Sequence, residues 1–138
     1  MTMNHARFGL LGIFALGLLL QLTAVALVGD KMWPEELRAL ITKILAIYSI
    51  PLTAVLGGIF AQPKGVLENP SAPIAGLALM LTVFWNLLLA WRSVYFSLAA
   101  EDSVRELVLY LDQVSSASSF LIAGVIAYFF TKETHAAG

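Results

Sequence analysis

The stretch that most constrains this chain is residues 73–92. From Ile74 to Ala90 there is no charged side chain, and Thr82 and Asn86 are the only polar ones. A helix needs about 20 such residues to cross a ~30 Å hydrocarbon core. Pro73 suits a first helical turn, where its missing N–H would be unpaired anyway. Trp91 and Arg92 arrive where the far interface should lie, an aromatic anchor beside a side chain able to snorkel to water. Charge then returns at Glu101, Asp102, Arg105, Glu106 and Asp112. Among these charges Val104, Leu107, Val108, Leu111 and Val114 recur at helical spacing. The whole stretch to Val114 reads as a span that leaves the bilayer and continues as an exposed amphipathic helix.

A chain of 138 residues allows one domain, here residues 1–138. It is 59% hydrophobic and only 12% charged, more apolar than a soluble domain of this size needs. A polytopic membrane protein is the class that fits. The net charge of −1 argues against nucleic acid as a partner. Without cysteine there is no disulfide and no thiolate metal site.

Three further spans are predicted, at residues 8–28, 39–61 and 117–130. The first follows Arg7 and contains Ala24-Val25-Ala26, a pattern that imitates a secretory signal with its cleavage site. Its apolar run is longer than a usual signal core, so it is read as an uncleaved span. Residues 29–38 form a charged turn, with Glu35 and Glu36 placed where the next helix's dipole favours negative charge. Lys43 lies one turn inside the second span and can snorkel. Pro51 predicts a kink, since Ile47 loses its helical donor. Residues 62–72 carry turn formers. Ser115-Ser116 reads as a break or cap before the fourth span, and residues 131–138 form a polar tail. Four spans place both termini on one side. Three basic residues lie there (Arg7, Lys64, Lys132) against five on the other (Lys31, Arg38, Lys43, Arg92, Arg105). The balance leans toward cytoplasmic turns, and the orientation stays open.

Each span carries a stripe of small or polar residues at steps of three or four, hence on one helix face. In the first it is Gly17, Gln21, Ala24. In the second it is Thr42, Ala46, Ser49, Thr53, Gly57, Ala61. In the third it is Ala75, Ala78, Thr82, Asn86, Ala90, Ser93, Ser97. In the fourth it is Ser116, Ser119, Ala123, Ala127, Thr131. Lipid gives helices no hydrophobic drive to associate, so close packing through small residues and interhelical hydrogen bonds supplies it. The stripes are expected to be the inner seams of a four-helix bundle; the alternative is a pore wall shared between protomers. Gln21 and Asn86 each lie about three residues past the middle of parallel spans, so the two amides are level, about 4–5 Å from the midplane. Tyr48 or Ser49, and Ser119 or Phe120, reach the same depth. An unpartnered amide in hydrocarbon costs several kcal/mol, so these groups should bond to one another. The expected buried polar layer is Gln21, Ser49, Thr53, Thr82, Asn86 and Ser119.

No carboxylate or histidine lies within the spans, which weakens a proton- or cation-coupled path. His5 and His135 lie outside them, so paired in-membrane haem ligands are absent. No nucleophile–base set, phosphate loop or carboxylate pair is found. The expectation is therefore no enzyme, no catalytic or metal-binding residues and no cofactor. The candidate partner contact is the exposed extension at about 98–114, through Glu101, Asp102, Arg105, Glu106 and Asp112, whose acid excess argues against strong binding to anionic lipid.

Trp33-Pro34-Glu35-Glu36-Leu37-Arg38 resembles the W-x-E-E-L start of the second span in small membrane subunits of tripartite periplasmic transporters, which also have four spans. The resemblance covers six residues and implies a small membrane subunit of a transporter. The basic and histidine pattern expected after the second span in that family is missing here.

The resulting expectation is an all-α polytopic membrane protein, a four-transmembrane-helix bundle with an amphipathic extension between helices 3 and 4. Its expected role is a non-catalytic subunit, in a bacterial inner membrane, that assembles with itself or with a larger membrane protein. The alternatives are a homo-oligomeric channel lined by one polar stripe, or the transporter subunit just named.

Overall fold

A computed structural model describes residues 3–60, 72–99 and 103–130. They form α1 (Met3–Ala26), α2 (Pro34–Phe60), α3 (Ala72–Ala99) and α4 (Val104–Phe130). A single 3₁₀ turn at Gly29–Lys31 joins the first two. All four helices contain a stretch long and apolar enough to cross a membrane, with mean hydropathies of 1.5 to 2.2. The chain is an integral membrane protein on that ground. Stretches of 27 residues in α2, α3 and α4 are about 40 Å long at 1.5 Å per residue, longer than a ~30 Å hydrocarbon core. Their ends therefore stand in the interface or the helices tilt.

Local chemistry sets the helix starts. Pro34 occupies the first turn of α2, and the Trp33 backbone N–H donates to Glu36 Oε2 at 3.2 Å. This is one half of a capping box. It gives the Trp33–Arg38 hexapeptide a local structural reason. Both halves are present at α4, where the Glu106 N–H donates to Ser103 Oγ at 3.2 Å and the Ser103 N–H to Glu106 Oε2 at 3.3 Å.

That cap corrects the expected extension. The segment at 98–114 is not a separate amphipathic helix between two spans. α3 continues past Arg92 to Ala99, and α4 runs unbroken from Val104 to Phe130. Leu107 and Leu111 are buried in the core, with Val104, Val108 and Val114 packed against it. The apolar spacing thus marks the inner face of the last span. Ser115-Ser116 does not break it. The Ser115 hydroxyl donates to Asp112 O at 3.1 Å, and that of Ser118 to Val114 O. Hydroxyls that bond back to their own backbone can ride on a helix through lipid. α2 likewise runs through Pro51, which is buried. Ala61, the predicted turn up to Ser71, Glu101, Asp102 and the tail at 131–138 lie outside the described residues.

Four close pairings build the bundle: α1 with α2, α1 with α3, α3 with α4, and α2 with α4. Gly17 meets Asn86 and Gln21 meets Ser93, so α1 and α3 run parallel. Lys43 meets Asp112 and Gly58 meets Phe130, so α2 and α4 run parallel too. The bundle is thus a square in which α2 and α3, consecutive in sequence, stand on a diagonal. An aromatic cluster fills its middle. Trp85 packs edge-on against Phe14 (5.8 Å between ring centres) and Tyr48 (5.4 Å).

Candidate functional site

Two features stand out on this scaffold, a polar layer inside it and a groove on its outer face. The layer joins α1, α2 and α3. Gln21 Nε2 donates to the Tyr48 hydroxyl at 3.0 Å, and that hydroxyl donates to Asn86 Oδ1 at 2.7 Å. Ser93 Oγ donates to Gln21 Oε1 at 3.2 Å. Asn86 Nδ2 donates to Thr82 O at 2.9 Å, and Thr82 Oγ1 to Ala78 O at 2.9 Å. Gln21, Tyr48, Thr82, Asn86 and Ser93 are all buried. Gly17 makes room for the junction. A Cβ there would stand 1.7 Å from Asn86 Oδ1 and 2.9 Å from the Tyr48 hydroxyl oxygen. Each polar atom is used within the bundle, so the layer holds helices together and presents no open path.

Of the expected layer, Gln21, Thr82 and Asn86 are inside it. Ser49, Thr53 and Ser119 are exposed on the outer surface. Their helices are turned so that larger side chains face in, namely Leu40, Ile44, Tyr48 and Val55 on α2, and Leu107, Leu111, Ile122, Val125 and Phe129 on α4. Ser49 Oγ instead donates to Ala46 O and Ser119 Oγ to Ser116 O, each at 2.9 Å. The four stripes therefore divide. Those of α1 and α3 are buried seams, apart from half-buried Ser97. On α2, Thr42, Ala46, Ser49, Thr53 and Gly57 all face out, as do Ser116, Ser119, Ala123 and Ala127 on α4. α4 is also the least buried span, with 17% of its apolar stretch buried against 39% for α3.

Between α2 and α4 lies a groove of about 460 Å³. Ala46, Ser119 and Ala123 keep its walls low, Trp85 lines it from α3, and Lys43 stands at one end. Lys43 is ion-paired with Asp112 across the α2–α4 contact. Of the other predicted contact residues, Arg105 and Glu106 are exposed, and Glu106 is engaged in the cap of α4.

Arg7, expected just ahead of the first span, is instead 1% exposed inside the bundle. Its Nε and Nη2 donate to Phe129 O at 3.0 and 2.5 Å, and its guanidinium lies 4.8 Å from the centre of the Phe130 ring. A cation here serves the negative end of the α4 dipole and a terminal carbonyl. The available sequence signal was weak: a single Arg one helical turn before the apolar Leu10–Phe14 face. On the opposite side Arg92 approaches the rings of Tyr95 (5.6 Å) and Tyr110 (5.9 Å). Among the described residues no three His, Cys, Asp or Glu side chains converge as a metal site requires. Compared with known proteins, the chain matches no family model, no curated protein and no solved structure.

Proposed function

We propose that this chain is a non-catalytic membrane subunit that assembles laterally through its α2–α4 face, either with further copies of itself or with a larger membrane protein. The observation that carries the reading is the division of the stripes. A helix face that serves only lipid gains nothing from Thr42, Ser49, Thr53 and Ser119, whereas a face that meets another helix gains close approach from small side chains. The interior seams are already occupied by α1 and α3, so the outer stripes remain for a neighbour. A bacterial inner membrane is the proposed setting, in keeping with helical spans; bacterial outer-membrane spans are barrels.

Native mass spectrometry of the protein gently extracted from its own membrane tests this. Oligomers, or a single copy held by a larger protein, are expected, and Ser49→Leu with Thr53→Leu, on the exposed α2 stripe beside the groove, should dissociate them. A monomer at every protein concentration, indifferent to those changes, would remove the proposal.

The outward α2 stripe also favours a second reading, a homo-oligomeric channel whose wall is Thr42, Ser49, Thr53 and Gly57. Single-channel conductance in planar bilayers decides it, since a closed ring that conducts no ions is an assembly and no pore. The transporter-subunit alternative rests on residues 33–38, which here form a helix cap. A large membrane protein co-purifying at fixed stoichiometry would be its signature.

A further inference from the structure

We propose that the α2–α4 groove is a phospholipid site. It takes one acyl chain of a lipid from the leaflet nearest Lys43, with a zwitterionic headgroup whose phosphate lies on Lys43 and whose ammonium lies on Asp112. The proposal does not rest on the assembly reading and holds for a monomer as well as an oligomer.

Shape is the first argument. Along α4 the groove extends from Ser115 to Ile126. That is about 16 Å of helix at 1.5 Å per residue, roughly half of a ~30 Å hydrocarbon core. One leaflet's acyl chain has that reach. A volume near 460 Å³ is in the usual range for a ligand cavity.

The lining chemistry is the second. The Ser115 hydroxyl is given to Asp112 O, that of Ser119 to Ser116 O, and Trp85 Nε1–H to Ser118 Oγ at 2.7 Å. The polar hydrogens nearest the groove are thus used within the protein. Ile50, Ile126 and Phe120 supply apolar wall. An aqueous solute would lose its hydration there with little in return, while a hydrocarbon chain loses nothing.

The mouth is the third. No charge occurs from Ile44 to Phe60 on α2 or from Gln113 to Phe130 on α4. The Lys43–Asp112 pair is therefore the last charge before both apolar runs and marks the headgroup level. Both side chains remain reachable, at 31% and 54% exposure. The pair is neutral as a whole and gives no net attraction for an anionic lipid. A phosphate beside the ammonium of Lys43 and an ammonium beside the carboxylate of Asp112 make a closed ring of four alternating charges, which a zwitterion completes.

Trp85 reports on the groove directly. It lines the groove yet is only 4% exposed, while Trp33 and Trp91 are 76% and 69% exposed and can be replaced. The full chain carrying Trp33→Phe and Trp91→Phe would be placed in nanodiscs of phosphatidylethanolamine with brominated mid-chain carbons. Loss of most of the Trp85 emission is expected relative to unbrominated lipid. Mixtures with brominated phosphatidylglycerol should show a several-fold preference for phosphatidylethanolamine. Lys43→Met with Asp112→Met should abolish that preference without abolishing quenching. Ala123→Phe, which fills the groove from its edge, should restore the emission. Undiminished Trp85 emission in brominated lipid would overturn the site, including the case where a helix of a second copy fills the groove. Equal quenching by both lipids, unaltered in the Lys43/Asp112 variant, would overturn the headgroup assignment and leave only bulk lipid contact. The oligomer measurement above can succeed or fail alongside either result, so the two proposals fail separately.

Discussion

Gly17→Ala is the most informative single change in this bundle. The added Cβ would stand 1.7 Å from Asn86 Oδ1 and 2.7 Å from its Cγ. Ordinary C···O contacts begin at about 3.3 Å, so the amide oxygen must retreat by roughly 1.6 Å. It cannot do so and keep its 2.7 Å bond from the Tyr48 hydroxyl. Asn86 is also tied to Thr82 O on its own helix, so its swing breaks a second bond or drags α3 outward. Overpacking of this kind costs ~1–3 kcal/mol, and an interhelical hydrogen bond in a membrane contributes ~0.6 on average and up to ~1.7, for a total of about 2–4 kcal/mol. Gly12→Ala and Gly76→Ala are the controls, since a Cβ at either position meets nothing within 4 Å. Stability would be read from reversible unfolding in mixed micelles titrated with sodium dodecyl sulfate. The double variant Gly17→Ala/Asn86→Ala should be destabilised by less than the sum of the single changes, because the clashing side chain is gone. A Gly17→Ala protein as stable as the Gly12→Ala control would refute the packing of α1 on α3 drawn here.

Other outcomes follow from the same contacts. Tyr48→Phe removes the hydroxyl that joins Gln21 and Asn86, and should cost about 1–3 kcal/mol in the same unfolding assay, with two bonds lost at membrane strengths. Asn86→Leu should lower the melting temperature in detergent; an unchanged value would show that the layer does not hold the bundle. Arg7→Met leaves Phe129 O without its charged donor and should cost about 1.5–3 kcal/mol, with faster hydrogen exchange confined at first to the last turn of α4. Ser103→Ala should cost about 1 kcal/mol by loss of the α4 cap. The readout is faster exchange of the first-turn amides of α4, and unchanged protection there would exclude the capping box. For charged contacts with a partner, reversal at Glu101 and Arg105 is the cleaner probe, because Glu106 also caps α4. Retained co-purification of the partner after those reversals would exclude docking at that end.

What the sequence disclosed and what it hid have one physical cause. Span number and approximate position follow from transfer energetics alone, and an uncharged run such as Ile74–Ala90 has few other fates. Counting rise along parallel helices puts Gln21 and Asn86 level; the structure sets Asn86 against Gly17, one turn from Gln21, and the Tyr48 hydroxyl bridges the two amides. Rotation of each helix about its axis is another matter. In water a polar face marks the outside, whereas in lipid both faces are apolar and that signal is lost. Small residues then mark any place where helices approach, whether in the same chain or in another. The α1 and α3 stripes proved internal and the described residues of the α2 and α4 stripes external; all four are rich in small residues, and only an amide, Gln21 or Asn86, sets the internal two apart. A different ladder carried the answer on α2, where Leu40, Ile44 and Tyr48 recur every fourth residue and are all fully buried. On α4 Leu107 and Leu111 do the same. The charges between them pointed instead to an exposed amphipathic helix outside the bilayer.

The burial of Arg7 and the placement of Lys43 show how the bundle handles charge at its two ends. At the end near the termini, a guanidinium is drawn inside to serve Phe129 O, and the Phe130 ring lies over it. Phe130 in turn sits against Gly58, where a Cβ would come within 2.2 Å of the ring. Gly58 therefore fixes Phe130, and Phe130 covers Arg7, which secures the end of α4. Gly58→Ala should thus loosen the α4 terminus by displacing the Phe130 ring. The expected pattern is faster hydrogen exchange in the last turn of α4 together with a fall in stability similar to that of Arg7→Met. The combination of both changes should cost little more than either alone, because both act on the same contact. Fully additive losses would mean that the ring and the guanidinium are anchored independently, and that Gly58 matters only for packing α2 on α4.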